Sequence, residues 1–398
     1  MKNFQEHTIL AIDTSCDETS VSVVRGFTIL ANLLPSQMEY HREFGGVVPS
    51  LAKLAHQERI DNVVNKALRR AGVSLKDIDA IAVTYGPGLA IALEVGIKKA
   101  KELAQEYSKP VVVVNHMEGH FLSSLAQKKT TKKTFTSNEH NVQEILNKIE
   151  LPVLGFLISG GHTELVLMKN LGEYVKVGET VDDSCGEAYD KCGRMLGLGY
   201  PAGPVISKFA KEHRKNVSIE VVKHHQSTLV KVANKKTKAE YLLPIPMVNS
   251  GDLNFSYSGL KTAFGQMVNK LKEGNNVELN REQIFDLCVA FEASALEQLA
   301  VKLKKAIDMY SPKEVWLGGG VVASARLRSV LRKTLKNYDI KLRYPFSGKL
   351  TGDNSAMIGI AAQLKVYLTE MEHNPMQGIF LNDFEAIDRD PSLSFDSI

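Results

Sequence analysis

Apolar and polar positions along the chain fall into a pattern that occurs twice. Residues 9–24 read as an apolar strand, a tight polar turn and a second strand in which apolar and polar positions alternate. Residues 153–168 repeat the design around the turn Ser159-Gly160-Gly161-His162-Thr163. Each is the pattern of a β-hairpin, and a third strand is expected after each, at 27–34 and 173–179. The periodicity then changes. Helix 49–71, strand 78–84, helix 89–107 and strand 110–114 follow the first set. Helices at 184–196, 203–213 and 282–309, strand 313–317, helix 323–335, strand 341–344 and a closing helix 354–368 follow the second. Three strands and then alternating helix and strand, used twice, predict an α/β protein with two similar lobes facing a central cleft. The first lobe is expected over 1–115, completed by a C-terminal helix at 369–398, and the second over 116–368. Polar, lysine-rich stretches near 127–150 and 211–245 read as surface insertions. The run at 223–240 in particular reads as a solvated loop, with RNA contact as the lesser alternative.

Composition narrows the class without naming a function. The 398 residues are 44% hydrophobic and 24% charged, ordinary values for a globular protein. No apolar run is long enough to span a membrane, and residues 1–8 lack the basic-then-apolar design of a secretory signal. The four cysteines, Cys16, Cys185, Cys192 and Cys288, form no Cys-x-x-Cys pair, which fits a reduced, cytoplasmic setting. A net charge of +4 permits a polyanionic partner and does not demand one.

The strongest chemical signal is Asn-His-Met-Glu-Gly-His at 115–120, directly after four consecutive valines. His116 and His120 are four apart, so a helix puts both imidazoles on one face, within reach of one cation. Two solvated surface histidines would show the same spacing. A zinc protease of the His-Glu-x-x-His type is disfavoured: Glu118 stands two residues after His116, roughly 200° round the helix from the histidine face. Asp353, in Thr351-Gly352-Asp353-Asn354-Ser355, could either cap the closing helix or supply a third, oxygen ligand. The glycine turns at 159–161 and 318–320 would let backbone approach a phosphate or nucleoside. Gly86-Pro87-Gly88 reads as a strand-to-helix turn. Asp190 falls one turn into a helix with an acidic start, and Cys185 and Cys192 read as packing residues.

Taken together these motifs resemble one family. Ile-Asp-Thr-Ser-Cys-Asp-Glu-Thr, Gly-Pro-Gly-Leu, Asn-His-Met-Glu-Gly-His, Ile-Ser-Gly-Gly-His-Thr-Glu-Leu, Gly-Glu-Ala-Tyr-Asp-Lys, Leu-Gly-Leu-Gly-Tyr-Pro, Phe-Ser-Tyr-Ser-Gly-Leu-Lys-Thr-Ala and Gly-Asp-Asn-Ser-Ala-Met-Ile occur in this order over about residues 8–370. They resemble the tRNA N6-adenosine threonylcarbamoyltransferases of the bacterial TsaD type, once labelled glycoproteases. The resemblance implies two ribonuclease-H-like lobes of the actin, sugar-kinase and heat-shock-ATPase superfamily. It implies one divalent metal ion, iron or zinc, on His116, His120 and Asp353. It implies that Leu157, Ile158, Ser159, Gly160, Gly161, Asp190, Gly203 and Ser324 bind threonylcarbamoyl-AMP, with Asp17 and Glu18 near the chemistry. It further implies a tRNA substrate, a TsaB-type paralogous subunit and a TsaE-type ATPase, and no membrane. The chain departs from the family pattern in several places: Ser324 stands where relatives carry Asn, Ala-Ile-Ala-Leu-Glu-Val-Gly follows Gly-Pro-Gly-Leu, Pro-Ala-Gly occupies 201–203, and the insertion at 127–150 and the C-terminal tail are not typical. A sugar or acetate kinase of the same fold and a noncatalytic paralogue are the alternatives; the second should lack the His-His-Asp set.

Overall fold

A computed structural model describes residues 6–35, 48–129, 141–225, 227–273, 278–372, 379–380 and 383–395. The first sheet uses β1 (Thr8–Asp13), β2 (Ser20–Arg25), β3 (Thr28–Leu33), β4 (Ala80–Gly86), β5 (Val111–Asn115) and β6 (Gln127–Lys128). The second begins with β7 (Val153–Ile158), β8 (Thr163–Asn170) and β9 (Glu173–Glu179). A small antiparallel sheet of β10 (Val217–His224), β11 (Ser227–Asn234) and β12 (Glu240–Pro244) interrupts it. It resumes with β13 (Glu314–Gly318) and β14 (Lys341–Arg343), and β15 (Ile379–Phe380) returns to the first sheet.

The strand orders are β15-β5-β4-β1-β2-β3-β6 and β14-β13-β7-β8-β9. In each, a hairpin leads into a third antiparallel strand on one side, while later parallel strands add on the other. The two sheets are therefore the same topology used twice, the arrangement of paired ribonuclease-H-like lobes in actin-type and sugar-kinase-type folds.

Period-2 alternation along the central strands fills three layers of core. Leu10 and Ile12 of β1 point outward onto helices Pro49–Ala71 and Ala90–Tyr107, with Ile60, Val64 and Leu93. Leu154, Phe156 and Ile158 of β7 point outward onto the helices of the second lobe. Ile9 and Ala11, and on the other side Val153 and Leu157, face inward. Between them lie helices His116–Leu122 and Ser355–Glu372. Gly155 makes room for the short helix: a Cβ there would lie 2.1 Å from the Phe121 ring.

Most of the expected elements are present, and three expectations need correction. The stretch 223–240 is not a loop; it holds the end of β10, all of β11 and the start of β12, a sheet whose Val230, Val232, Tyr241 and Leu243 are buried against the second lobe. The lysines at 235, 236 and 238, in the turn between β11 and β12, hide the alternation. Among the described residues of 369–398 there is no separate helix: Ser355–Glu372 ends within it, Ile379–Phe380 pairs with β5, and 383–395 runs as turns. Residues 116 onward also contribute to the first sheet, through β6 and through helix Ser355–Glu372, where Gly359 packs on Val24 and Ala11. Helix Ser258–Glu273 was not anticipated. Of the insertion at 127–150, residues 130–140 lie outside the described residues. Among the described residues, no helix is long and apolar enough to cross a membrane.

Candidate active site

The Asn115 side chain caps helix His116–Leu122 by accepting from Met117 N at 2.8 Å and Glu118 N at 3.3 Å. The cap ends β5 and turns the chain so that both histidines point across the cleft. Their rings meet edge to face, with centroids 4.8 Å apart. His116 is 6% exposed and His120 is fully buried, which removes the solvated-histidine alternative. Glu118 points the other way, into the core, with Oε2 3.3 Å from Lys365 Nζ; the protease reading fails on that geometry.

Asp353 closes the cluster. Its Oδ1 lies 3.0 Å from His120 Nε2 and 3.4 Å from His116 Nε2. It is free to do so because Asn354, not Asp353, caps the closing helix, accepting from Met357 N at 3.3 Å. The donor atoms of His116, His120 and Asp353 all lie within 4.8 Å of one another. Two imidazoles and one carboxylate form a donor set suited to iron or zinc.

The surroundings favour positive charge at this point. Burial works against charge on His116, but the Asp353 and Asp13 carboxylates outweigh it and raise its pKa to about 10. Burial likewise works against the Asp353 carboxylate, and the two histidines hold it well below the usual range. Asp13 Oδ1 is 3.7 Å and Ser15 Oγ 3.0 Å from His116 Nδ1, so the far side of that ring is also held. Burial, then the positive field of His116 and His120, depresses His162 to about 4. This cluster therefore fits a cation.

Asp17 and Glu18 are half-buried in the turn between β1 and β2. Burial and the neighbouring carboxylates Asp17, Asp353 and Asp13 push Glu18 up to about 8. The sequence reading missed what holds this turn. His56, fully buried on helix Pro49–Ala71, donates from Nε2 to the Cys16 carbonyl at 3.1 Å, and its Nδ1 accepts from the Thr19 hydroxyl at 2.8 Å. Burial lowers the pKa of that imidazole, consistent with both roles. The signal was present: His56 falls in the buried stripe Ala52, Ala55, Ile60, Val63, Val64 of its helix.

Beside the cluster is a cavity of about 400 Å³ lined by Gly160, Tyr189, Asp190, Gly203, Ser207 and Ser324, among others. Six of the expected nucleotide residues sit around it or in its glycine turn: Ser159, Gly160, Gly161, Asp190, Gly203 and Ser324. Ser159 N donates to His162 O at 2.8 Å and His162 N to Ser159 Oγ at 3.0 Å, which closes the turn. Added Cβ atoms on Gly160 and Gly161 would meet nothing within 4 Å. Asp190 accepts from Ala202 N at 2.7 Å and Gly203 N at 3.3 Å, so it organises the far wall and is no idle surface carboxylate. Ser324 lines the cavity while its Oγ accepts from Leu327 N at 3.2 Å as a helix cap. Leu157 and Ile158 are fully buried strand residues behind the turn. Cavity and cluster approach one another at Gly320, which lines the cavity: a Cβ there would lie 3.8 Å from the Cα of Gly352, the neighbour of Asp353.

The chain is similar to known proteins over nearly its whole length. The family model for tRNA N6-adenosine threonylcarbamoyltransferase (TsaD) matches residues 28–136 and 135–360. A protein of that name from Streptococcus thermophilus is 37% identical over 381 residues, covering 95% of this chain and 98% of the relative. One from Streptococcus pyogenes is 38% identical over 392 residues, covering 98% and 96%. Among solved structures, HypF from T. kodakarensis shares the fold at a TM-score of 0.53 and 12% identity, over 92% of this chain and 48% of that one. A phosphate- and nucleotide-bound full-length HypF does so at 0.51 and 11%, over 92% and 47%. The chain belongs to the tRNA N6-adenosine threonylcarbamoyltransferase family.

Proposed function

We propose that the chain transfers the threonylcarbamoyl group of threonylcarbamoyl-AMP to N6 of the adenosine next to the anticodon, in tRNAs that read codons beginning with A. The product is N6-threonylcarbamoyladenosine. The observation that carries this reading is the meeting of His116, His120 and Asp353 beside a glycine-lined cavity, in a chain of this family. N6 attacks the carbamoyl carbonyl, the bond to the phosphate oxygen breaks, AMP leaves, and N6 gives up one proton.

An aromatic amine is a weak nucleophile, so positioning and charge stabilisation carry the rate. The Ser159–Gly161 backbone would hold the donor phosphate at an open turn. Asp190 and Gly203 would shape the nucleoside wall, with Ser324 at its rim. Glu18, with a pKa near 8, is suited to take the N6 proton close to neutral pH, and Asp17 beside it holds that value up. Iron or zinc on His116, His120 and Asp353 would supply Lewis-acid stabilisation of donor oxygen atoms. A TsaB-type paralogue and a TsaE-type ATPase are the expected partners, in the cytoplasm where tRNA is modified. Mass spectrometry of tRNA nucleosides tests the reading: incubation with the adenylate donor, tRNA and those partners should yield the modified adenosine. ATP turnover on a small hydroxyl acceptor, with no modified nucleoside, would favour a kinase instead.

A further inference from the structure

Behind one wall of the nucleotide cavity lies a buried charge that the transfer reaction leaves without a role. Glu292, on helix Arg281–Tyr310, is 1% exposed. Its Oε2 pairs with Nη2 of Arg214, the residue that follows helix Gly203–His213. Its Oε1 and Nη1 of Arg214 are both buried, and neither has a hydrogen-bond partner among the described residues. Two residues of the cavity lining stand against this pair. Tyr189 packs edge to face on Phe291, the neighbour of Glu292, with ring centroids 4.9 Å apart. Ser207, one turn into helix Gly203–His213, turns its hydroxyl towards the Glu292 carboxylate. Burial raises the pKa of Glu292, and Arg214, the Ser207 hydroxyl and Arg326 oppose that rise.

The charges decide which way the Ser207 proton points. Arginine stays protonated at any working pH, so the partner that Arg214 holds is the ionised carboxylate, which only accepts. A buried acceptor left without a donor is costly, and Ser207 carries the hydroxyl beside it. Its proton is therefore drawn towards Glu292, and its lone pairs are left for the cavity. We propose that Glu292 is a positioning residue that makes Ser207 a fixed acceptor, so that this wall selects a nucleoside presenting a hydrogen-bond donor to it. The donor is a ribose hydroxyl or the exocyclic amine of the base; a deoxy or keto group in its place would leave the Ser207 oxygen unpaired. Ser324 has the opposite preference: its Oγ already accepts from Leu327 N at 3.2 Å, so its proton is what it offers the ligand. The inference rests on the proposed function for the identity of the nucleoside as an adenylate.

The test is calorimetric titration of the full chain, as wild type, Ser207→Ala and Glu292→Gln. The probes are AMP, the two AMP analogues that each lack one ribose hydroxyl, and the analogue that lacks the base amine. Wild type should bind one analogue about tenfold or more weaker than AMP, and which one it is identifies the donor as ribose or base. Ser207→Ala should bind AMP weaker by a similar factor and no longer distinguish that analogue. Glu292→Gln should lose the same discrimination, because its amide can donate to Ser207 and turn the hydroxyl proton into the cavity. A purely structural role would weaken all four probes alike and leave their ratios unchanged. Ser207→Ala carries the test if Glu292→Gln does not fold. Wild type that fails to bind AMP, or binds all four probes equally, overturns the proposal, as does discrimination retained in Ser207→Ala or in folded Glu292→Gln. If wild type nevertheless forms the modified adenosine, the proposed function stands without the fixed acceptor. Discrimination that depends on Ser207 and Glu292, in a chain that forms no modified adenosine with its partners, supports the fixed acceptor and overturns the function.

Discussion

His120 Nε2 lies 3.0 Å from Oδ1 of Asp353, across 233 positions of sequence. The contact joins the end of β5 to the start of the closing helix, and it exists because Asn354 caps that helix in place of Asp353. An Asn354→Ala substitution removes the cap, which is worth about 1 kcal/mol. It should also free the loop that aims Asp353. The expected outcome is weaker metal binding in equilibrium dialysis, with a loss of stability of only that size in urea unfolding.

The His56 bridge predicts a positioning effect. His56→Ala removes the bonds to the Cys16 carbonyl and the Thr19 hydroxyl, a cost of about 1–3 kcal/mol, and loosens the Asp17 and Glu18 turn. We expect kcat to fall by about 10–100-fold, the range for supporting groups around a reaction centre, with donor KM unchanged. His56→Gln, which retains a donor and an acceptor, should recover part of the loss. Equal loss in both variants would leave only a structural role.

Glu18 makes the pH dependence specific. Burial and three neighbouring carboxylates raise its pKa to about 8 in the folded protein. Between the ordinary carboxylate range and 8 the folded state holds a proton that the unfolded state releases. Its contribution to stability therefore falls as pH rises through that window, and levels off above it. Metal-free Glu18→Gln should lack this decline, so urea unfolding from pH 5 to pH 9 should show the variant gaining on wild type with rising pH. In the reaction, kcat/KM of wild type should rise towards pH 8 and the variant should lose that limb.

Gly186 touches the Ser159–Gly161 turn from below. A Cβ there would lie 2.6 Å from the Ser159 carbonyl oxygen and 2.8 Å from the Gly160 Cα. Both neighbours are backbone and cannot step aside without moving the turn. Gly186→Ala should raise donor KM about tenfold or more while metal content stays at the wild-type level, as read by donor titration and elemental analysis.

Much of this architecture was legible because the paired hairpins alternate strongly and the helices 49–71, 89–107 and 203–213 carry clear apolar stripes. The His116–His120 pair followed from helical spacing alone. Other features were hidden for physical reasons. An exposed Val221 in β10 and the lysines at 235, 236 and 238 in the turn after β11 mask their alternation. Asp353 and Asn354 are both competent helix caps, so only coordinates decide which one is left for the cluster. His56 lies in the apolar stripe of its helix, which marks it as buried, but no motif around it marks a role. The segment 383–395 has no periodicity, yet Ser394 O is 3.4 Å from Asn115 Nδ2, and the Phe395 ring packs 6.3 Å from Phe121 and 5.4 Å from Tyr174. It thus braces the helix that bears the histidines.

That brace is testable. Phe395 is almost fully buried, and Phe395→Ala should cost about 3–5 kcal/mol and weaken metal binding by loosening helix His116–Leu122. Phe395→Leu should keep most of both. Thermal unfolding and metal titration of the two variants separate packing from any wider loss of fold.

The central claim is that His116, His120 and Asp353 form one ion site that serves threonylcarbamoyl transfer to tRNA. The most direct measurement pairs metal content by elemental analysis with the yield of modified adenosine, for wild type, His116→Ala, His120→Ala and Asp353→Asn, after circular dichroism has shown each to be folded. One ion per wild-type chain, with metal and product falling together in all three variants, is the result predicted here; full product from a folded variant that has lost its metal would contradict it.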